Sequence, residues 1–385
     1  MNGARPLLLL GRPLIGPEEL AEVEACLRSG WIGTGPRVAR FERELERYLD
    51  AAHVRCVSSC SAALFLSLAA MEIGPGDEVI VPAMTFVASA NAVEHVGATT
   101  VLVDCEPDNG LIDLDAAEAA ITPRTRVIMP VHLAGRPVDI DRLAAIRDRH
   151  GVAILEDAAH AIGAEWQGRR VGANGNLCAF SFYVTKNITT GEGGAIATED
   201  KHLTQRVERM AMHGMSQGAW QRQADPGFRH YVVEEPGWKF NMTDINASIG
   251  LRQLPKLDRW IDERAARWNL YDDLLESVPI HRPLPPEPHT RHARHLYRIE
   301  VEDGQSPRDE ILDSLWADGV GCGVHYRGVH LHPYYRAKYE LRPEQFPNAT
   351  RSSERTLSLP LDPALTEQNQ RHVVAALRRA LRTPR

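Results

Sequence analysis

Residues 179–196 read AFSFYVTKNITTGEGGAI. The run opens with strand character over 179–183 and closes in the turn Gly191-Glu192-Gly193-Gly194. Between them stands one lysine, Lys186, just past the strand end among small hydroxyl residues. Threonines and glycines offer no apolar surface to cover a lysine stem. A flexible amine that loses its proton when desolvated can instead form a Schiff base with a carbonyl. A solvated loop lysine is the ordinary alternative for Lys186 taken alone, and the rest of the chain decides between the two.

Outward from this stretch, short apolar runs alternate with helices. Residues 54–57 read as a strand that turns through Ser58-Ser59-Cys60-Ser61 into an apolar helix over 62–71. Strands follow at 78–81, 99–104, 127–131 and 152–155, with helices opening at 85–88 and spanning 140–150. This βαβ spacing predicts a mostly parallel sheet covered on both faces. Ligands of such sheets sit beyond the carboxyl ends of the strands. Phe86, Asp157 and Lys186 all fall at strand ends. For Asp157, which follows 152–155 directly, capping of the next helix is an equally good local reading.

Before the sheet, 17–28 and 38–49 read as helices separated by the glycine-rich loop 31–36. After it come a helix at 203–212, an irregular polar stretch at 216–235 anchored by Trp220, Phe228 and Tyr231, and a helix at 244–254. A loop that long is usually functional. A charged helix over 258–275 leads into a Pro- and His-rich segment, 279–291. Beyond it a strand (296–301), a helix (308–319), a strand (323–326) and a closing helix (367–381) form a small α+β unit. With 385 residues, two domains are expected. They are an N-terminal arm and large domain, 1–255, and a small C-terminal domain, 256–385, joined by the helix 258–275.

The net charge of -7 implies no basic face, so nucleic acid is not an expected partner. Residues 7–10 are too short an apolar run for a signal-peptide core or a membrane span, which predicts a cytoplasmic protein. Six scattered cysteines without CxxC spacing predict reduced, mostly buried thiols. The histidines His289, His292 and His295, with His325, His330 and His332, raise a metal site. Surrounding prolines and the lack of a completing carboxylate or thiolate weigh against it, and no metal is expected.

Pyridoxal phosphate asks four things of a protein: a lysine, a carboxylate for the pyridine nitrogen, a phosphate cradle and a planar group against the ring. Lys186, Asp157, the helix start at Ser61 and Phe86 supply all four. Unpaired N–H groups at a strand–turn–helix junction make the cradle.

Over essentially its whole length the chain resembles the DegT/DnrJ/EryC1/StrS family of sugar aminotransferases. The matching stretches are GWIGTGP (30–36), VSSCSAAL (57–64), GPGDEVIVPAMTFVASANAV (74–93), EDAAHAIGA (156–164), SFYVTKNITTGEGGAI (181–196), FNMTDINASIGLRQL (240–254) and GVHYRGVHLHPYY (323–335). Within the family it is most similar to nucleotide-sugar C4 aminotransferases of the UDP-4-amino-4-deoxy-L-arabinose type. The resemblance implies an aspartate-aminotransferase-like large domain of PLP fold type I. It makes Lys186 the Schiff-base lysine and proton shuttle, Asp157 the partner of the pyridine nitrogen, and Phe86 the stacking group. His160 stands where glutamine is common, near the cofactor's phenolic oxygen. Ser181 and the turn Cys60-Ser61-Ala62 hold the phosphate, and Asn241 reaches it from the other subunit of a homodimer. Cys60 and Ser61 depart from the family's usual glycine and threonine; Ser61 keeps the hydroxyl, while Cys60 raises the prospect of crowding or of a reactive thiol.

The implied reaction moves an amino group from a donor, L-glutamate, to the C4 ketone of a nucleotide-linked keto-sugar. Trp31, Thr34, Lys239, Arg229, His325 and Tyr326 are the substrate candidates, each with solvation or packing as an equal alternative. A C3 keto-sugar or cyclitol ketone is the competing substrate, and a non-catalytic PLP-binding sensor the competing function. Retention of lysine at 186, where some relatives carry histidine and eliminate water, points to transamination.

Overall fold

Apolar runs of the first part of the chain pair with one another and leave the second part to build a sheet of its own. The computed structural model describes residues 7–216 and 230–381. The first part holds α1 (Pro17–Arg28), α2 (Pro36–Leu49), β1 (His53–Val57), α3 (Cys60–Ala70), β2 (Glu78–Pro82), α4 (Val87–His95), β3 (Thr99–Val103) and α5 (Leu114–Ala119). Then come β4 (Thr125–Ile128), α6 (Ile140–His150), β5 (Ala153–Asp157), β6 (Glu165–Trp166), β7 (Arg169–Arg170), β8 (Leu177–Ser181), β9 (Gly194–Thr198) and α7 (Lys201–Met210). The remainder is α8 (Asp244–Gln253), α9 (Leu257–Leu274), β10 (Ile280–His281), β11 (Tyr297–Val301), α10 (Arg308–Ala317), α11 (Pro333–Tyr339), α12 (Pro347–Arg355), β12 (Thr356–Leu359) and α13 (Glu367–Leu381).

The main sheet runs β1-β9-β8-β5-β4-β2-β3. Its pairs are parallel from β8 through β3, and β9 is antiparallel to both β1 and β8. Every residue of β2 and β9 is buried, as expected of strands covered on both faces. One buried cluster joins Phe41 and Leu45 of α2 and Leu251 of α8 to Phe180 of β8. Another joins Leu64 and Leu68 of α3 to Val79 and Val81 of β2. The second sheet, β10-β11-β12, is antiparallel and has its own core around Trp268, Tyr271, Tyr297 and Leu377. Among the described residues no helix is long and apolar enough to cross a membrane.

Helices start where the local chemistry says they should. Ser59 Oγ accepts the Ala62 N–H at 3.1 Å, Asp139 caps α6, and proline opens α1, α2, α11 and α12. The helices read at 17–28, 140–150 and 367–381 are found with those bounds. The strand expected at 323–326 is not formed: Gly323 makes a single bridge to Ser358, and β12, whose four residues carry little pattern, pairs with β11 instead. The short helices α5, α11 and α12 are additions to the sequence reading. Of the polar stretch at 216–235, Trp220, Phe228 and Arg229 lie outside the described residues. A Met215–Val233 bridge and a Ser216 N–H to Val232 O bond close its base, and Tyr231 is exposed.

Register aligns the functional ends. Val57, Gly194 and Ser181 lie in one row across β1, β9 and β8, and Asp157, Ala179 and Ile196 in another. The two rows are two residues apart on β8, about 7 Å of strand. Gly194 is obligatory in its row, because a Cβ there would lie 2.4 Å from Ser59 C and 2.6 Å from Cys60 N. Gly194→Ala is therefore expected to destabilise the protein by about 1–3 kcal/mol, read as a lower urea midpoint at unchanged m-value. An unaltered midpoint would show that the start of α3 is not pressed against β9.

Candidate active site

Lys186 follows β8 in a loop braced from several sides. Its own N–H donates to Tyr183 O, Thr190 N–H and Thr189 Oγ1 both donate to Phe182 O, and Thr190 Oγ1 donates to Glu192 O. Among the described residues no acceptor takes the Lys186 Nζ. The residue as a whole is half-buried, and burial of the amine pushes its pKa down to about 8 despite the opposing pull of Cys60 and Asp157. Its charge acts on Cys60, Asp157, His160, His295 and His325, which gathers these groups around one amine.

Asp157 closes β5 and is 5% exposed. Its Oδ2 accepts the Ser89 hydroxyl at 2.7 Å and its Oδ1 the Ala159 N–H at 3.1 Å. The capping alternative is thus partly realised, in a turn rather than a helix. Burial pushes this carboxyl above its usual range, against the effects of Ser89, Ala159, Lys186 and His132. No salt bridge reaches it among the described residues, so a buried acceptor with spare lone pairs has no protein cation opposite. Directly beneath, Glu156 is paired with His132 at 2.9 Å and accepts both Asn174 and Asn176.

One wall of the pocket is a chain of rings. Phe86, the N-cap of α4, is 54% exposed and lies 5.6 Å from the Tyr326 ring. Tyr326 Oη is 2.9 Å from His160 Nε2. His160 Nδ1 accepts the Ala134 N–H at 3.2 Å, so the ring proton sits on Nε2 and is donated to Tyr326, whose own hydroxyl proton stays free. Burial holds His160 neutral, its pKa well below the usual value. The His295 ring lies 4.5 Å from His160, tilted by 41°, and donates from Nδ1 to Asn187 Oδ1 at 3.2 Å; the Asn187 amide is fixed by Nδ2 donating to Ala293 O. His325 bonds Ser358 Oγ, and burial lowers its pKa to about 4.

At the other end, Cys60 and Ser61 are the first residues of α3, and their N–H groups have no acceptor among the described residues. Ser61 is exposed, and Ser181 Oγ accepts the Tyr183 N–H while its proton stays unpaired. Unpaired amides, a helix dipole and two free hydroxyls fit an anion. Cys60 is buried against Asp157, with Sγ 3.9 Å from Oδ1, and burial followed by that charge pushes its thiol well above the usual value. It is therefore kept as a thiol, which makes it a poor nucleophile.

The sequence candidates separate into two places. Lys186, Asp157, Phe86, His160, Cys60, Ser61, Ala62, Ser181, His325 and Tyr326 belong to the pocket just described. Trp31, Thr34, Lys239 and Asn241 line a different cavity of about 1310 Å3, which Lys186 does not line. There the Asn241 amide donates to Thr34 Oγ1 at 2.5 Å and accepts Lys239 Nζ at 2.6 Å. Sequence reading missed Ser89 and Asn187, and weighed His295 only as a metal ligand. Among the described residues no group of three His, Cys, Asp or Glu side chains is placed to hold a metal ion.

The set fits pyridoxal phosphate: an unpaired amine of lowered basicity, a buried carboxylate lacking a cation, an anion cradle two residues away along β8, and an open aromatic face. Comparison with known proteins agrees. The DegT/DnrJ/EryC1/StrS aminotransferase family model matches residues 13–378. Spore coat polysaccharide biosynthesis protein SpsC of Bacillus subtilis (strain 168) is 42% identical over 371 residues, 95% of this chain and 95% of that protein. Among solved structures, Spr1654 from Streptococcus pneumoniae in its PMP form is similar at TM-score 0.90 with 33% identity, over 98% of this chain and 99% of that one. Its PLP form matches at TM-score 0.88. Helicobacter pylori PseC, an aminotransferase involved in the biosynthesis of pseudoaminic acid, matches at TM-score 0.90 with 27% identity, over 97% and 99% of the two chains.

An amine captures an aldehyde only in its unprotonated form. Capture of pyridoxal phosphate by the cofactor-free protein should therefore accelerate as pH rises through about 8, followed by stopped-flow absorbance. A midpoint near that of an unperturbed lysine, about 10.4, would contradict the burial of the amine.

Proposed function

The chain belongs to the DegT/DnrJ/EryC1/StrS aminotransferase family and is a pyridoxal-phosphate-dependent sugar aminotransferase, and from that premise we propose that it aminates the C4 ketone of a nucleotide-linked sugar with L-glutamate as donor. The observation that carries the catalytic part is the Lys186 amine, enclosed, weakened as a base and without an acceptor. When bound, the cofactor supplies an electron sink that makes the carbon next to the transferred nitrogen acidic.

The protein's residues do the rest. Asp157, short of a cation, keeps the ring nitrogen protonated. The N–H groups of Cys60 and Ser61, with the hydroxyls of Ser61 and Ser181, hold the phosphate. Phe86 covers the ring, and the neutral His160 orders Tyr326 so that its free hydroxyl proton faces the reacting groups. Lys186 Nζ takes the proton from the donor's α-carbon and returns one to the sugar carbon, a role suited to an amine whose pKa lies near the working pH.

The nucleotide part of the reading rests on Trp31, Thr34, Lys239 and Asn241, which stand apart from Lys186 in their own chain. They become useful to chemistry if a second copy brings them to its partner's Lys186, making a homodimer with shared sites. Lys239 then meets the diphosphate as a cation and Asn241 the cofactor phosphate. The parts that SpsC and PseC play in the biosynthesis of spore coat polysaccharide and of pseudoaminic acid support a sugar activated for assembly. Residues 1–255 then form the cofactor-binding domain and 256–385 the smaller one. The six unpaired cysteines, five of them buried, favour a reducing compartment, the cytoplasm.

L-Glutamate should bleach the visible cofactor band of the holoenzyme, and a nucleotide-linked 4-keto-sugar should restore it. No bleaching with any amino acid would leave a sensor, and restoration only by a 3-keto-sugar or cyclitol ketone would move the substrate. Lys186→Arg keeps the charge but cannot make the covalent bond, so it should abolish the band and turnover together. Mixing Lys186→Ala with Asn241→Ala subunits should recover activity that neither has alone; lack of recovery in a confirmed mixed dimer would refute the shared site.

A further inference from the structure

A cavity of about 650 Å3 lies between the ends of β3 and β4 on one side and α9, β11 and α12 on the other. It is distinct from the Lys186 pocket and from the cavity of Trp31 and Lys239. Six arginines line it, Arg136, Arg282, Arg294, Arg298, Arg351 and Arg355, against three carboxylates, Asp108, Asp272 and Glu300.

Three of the arginines are already engaged by carboxylates. Arg298 pairs with Glu300 at 2.7 Å, Arg136 with Glu287 at 2.5 Å, and Arg355 with Asp303. The other three have no ion-pair partner among the described residues. Arg282 reaches only the Asp272 backbone carbonyl, and Arg351 only Pro107 O, with its Nε buried and unpaired. Among the described residues the Arg294 guanidinium donates no hydrogen bond, and it rests 4.6 Å over the Trp268 ring. Beside it, His292 is 6% exposed; its Nδ1 accepts the Arg294 N–H at 2.8 Å, which puts the ring proton on Nε2, where no acceptor is found among the described residues. Of the opposing acids, Asp272 accepts Tyr297 Oη at 2.6 Å and its charge acts on Arg282 and Arg294 without an ion-pair contact, and Asp108 is the other acid not already paired to an arginine.

Planar forks with unspent donors, a proton-bearing imidazole nitrogen and a local excess of positive charge are the features that recognise phosphate. Trp268 is 2% exposed beneath Arg294, so it offers no open face to a nucleobase. The volume is that of a small-molecule site. We propose that this cavity binds the phosphoryl group of a small phosphorylated metabolite without a nucleobase, with Arg294, Arg351 and His292 as its principal donors.

The test is isothermal titration of the cofactor-loaded enzyme with inorganic pyrophosphate, and with citrate as a carboxylate control. Pyrophosphate should bind saturably and more tightly than citrate. Arg294→Gln, which keeps a stem over Trp268, and Arg351→Gln should each weaken it by about 10–100-fold, the loss of a hydrogen bond to a charged group. Lys239→Ala should leave this binding unchanged, separating it from any diphosphate site near Trp31. Circular dichroism and the cofactor band confirm that each variant is folded and loaded. Absence of saturable binding into the millimolar range, equal binding of citrate, loss of binding in Lys239→Ala alone, or full affinity in both folded arginine variants would overturn the assignment.

Discussion

A carboxylate stands at the end of β5 with hydrogen bonds from Ser89, Ala159 and the Cys60 thiol, almost no exposure and, among the described residues, no cation paired to it. Such a group is costly to bury, and the fold tolerates it because Ser89 and Ala159 fix both oxygens. Five residues beyond the end of the neighbouring strand β8 stands an amine with the opposite defect, enclosed and lacking an acceptor. The parallel pairing of β5 with β8 brings these two unmatched groups into one pocket, and the antiparallel β9 closes the phosphate end through Gly194. An aldehyde with a basic ring nitrogen and an anionic tail would match both halves of the site.

Much of this was readable from the chain. Lys186 is visible because small residues around it leave its stem uncovered, and Asp157 because it ends an apolar run. The parallel sheet followed from short, wholly apolar strands at βαβ spacing. Groups that act on these residues from elsewhere were not legible. Ser89 is 68 residues from Asp157, and His295 is 108 from Asn187; nothing local marks either as a partner. Helices α5, α11 and α12 carry start signals at Asp113, Pro333 and Pro347, but each is too short for helical periodicity to declare itself. The expected strand at 323–326 failed for another reason: β12 takes the pairing edge of β11, and the backbone of 323–326 adds only the Gly323–Ser358 bridge to it.

The separation of Trp31, Thr34, Lys239 and Asn241 from Lys186 is equally a matter of topology. Phe240 and Asn241 lie against the end of β1, where Ser58 N–H donates to Phe240 O at 2.7 Å, and α8 locks onto α2 through Asp244, which accepts the N–H groups of Arg37 and Val38. These residues therefore form a rigid face of their own. Trp31, Thr34 and Asn241 stand in stretches that share the family resemblance with the lysine stretch, but the folded chain puts them, with Lys239, on a separate surface.

The residue after the lysine has a further effect. Asn187 is gripped through its side chain by Ala293 and His295, and the loop behind it is cross-linked to Phe182, so the Lys186 Cα is a fixed post and only its four-carbon arm can swing. An arm pivoting on one post sweeps one hemisphere. A planar molecule lying across that sweep would receive hydrogen on a single side, and the handedness of the product would then be dictated by how the substrate is laid down, not by any choice the amine makes.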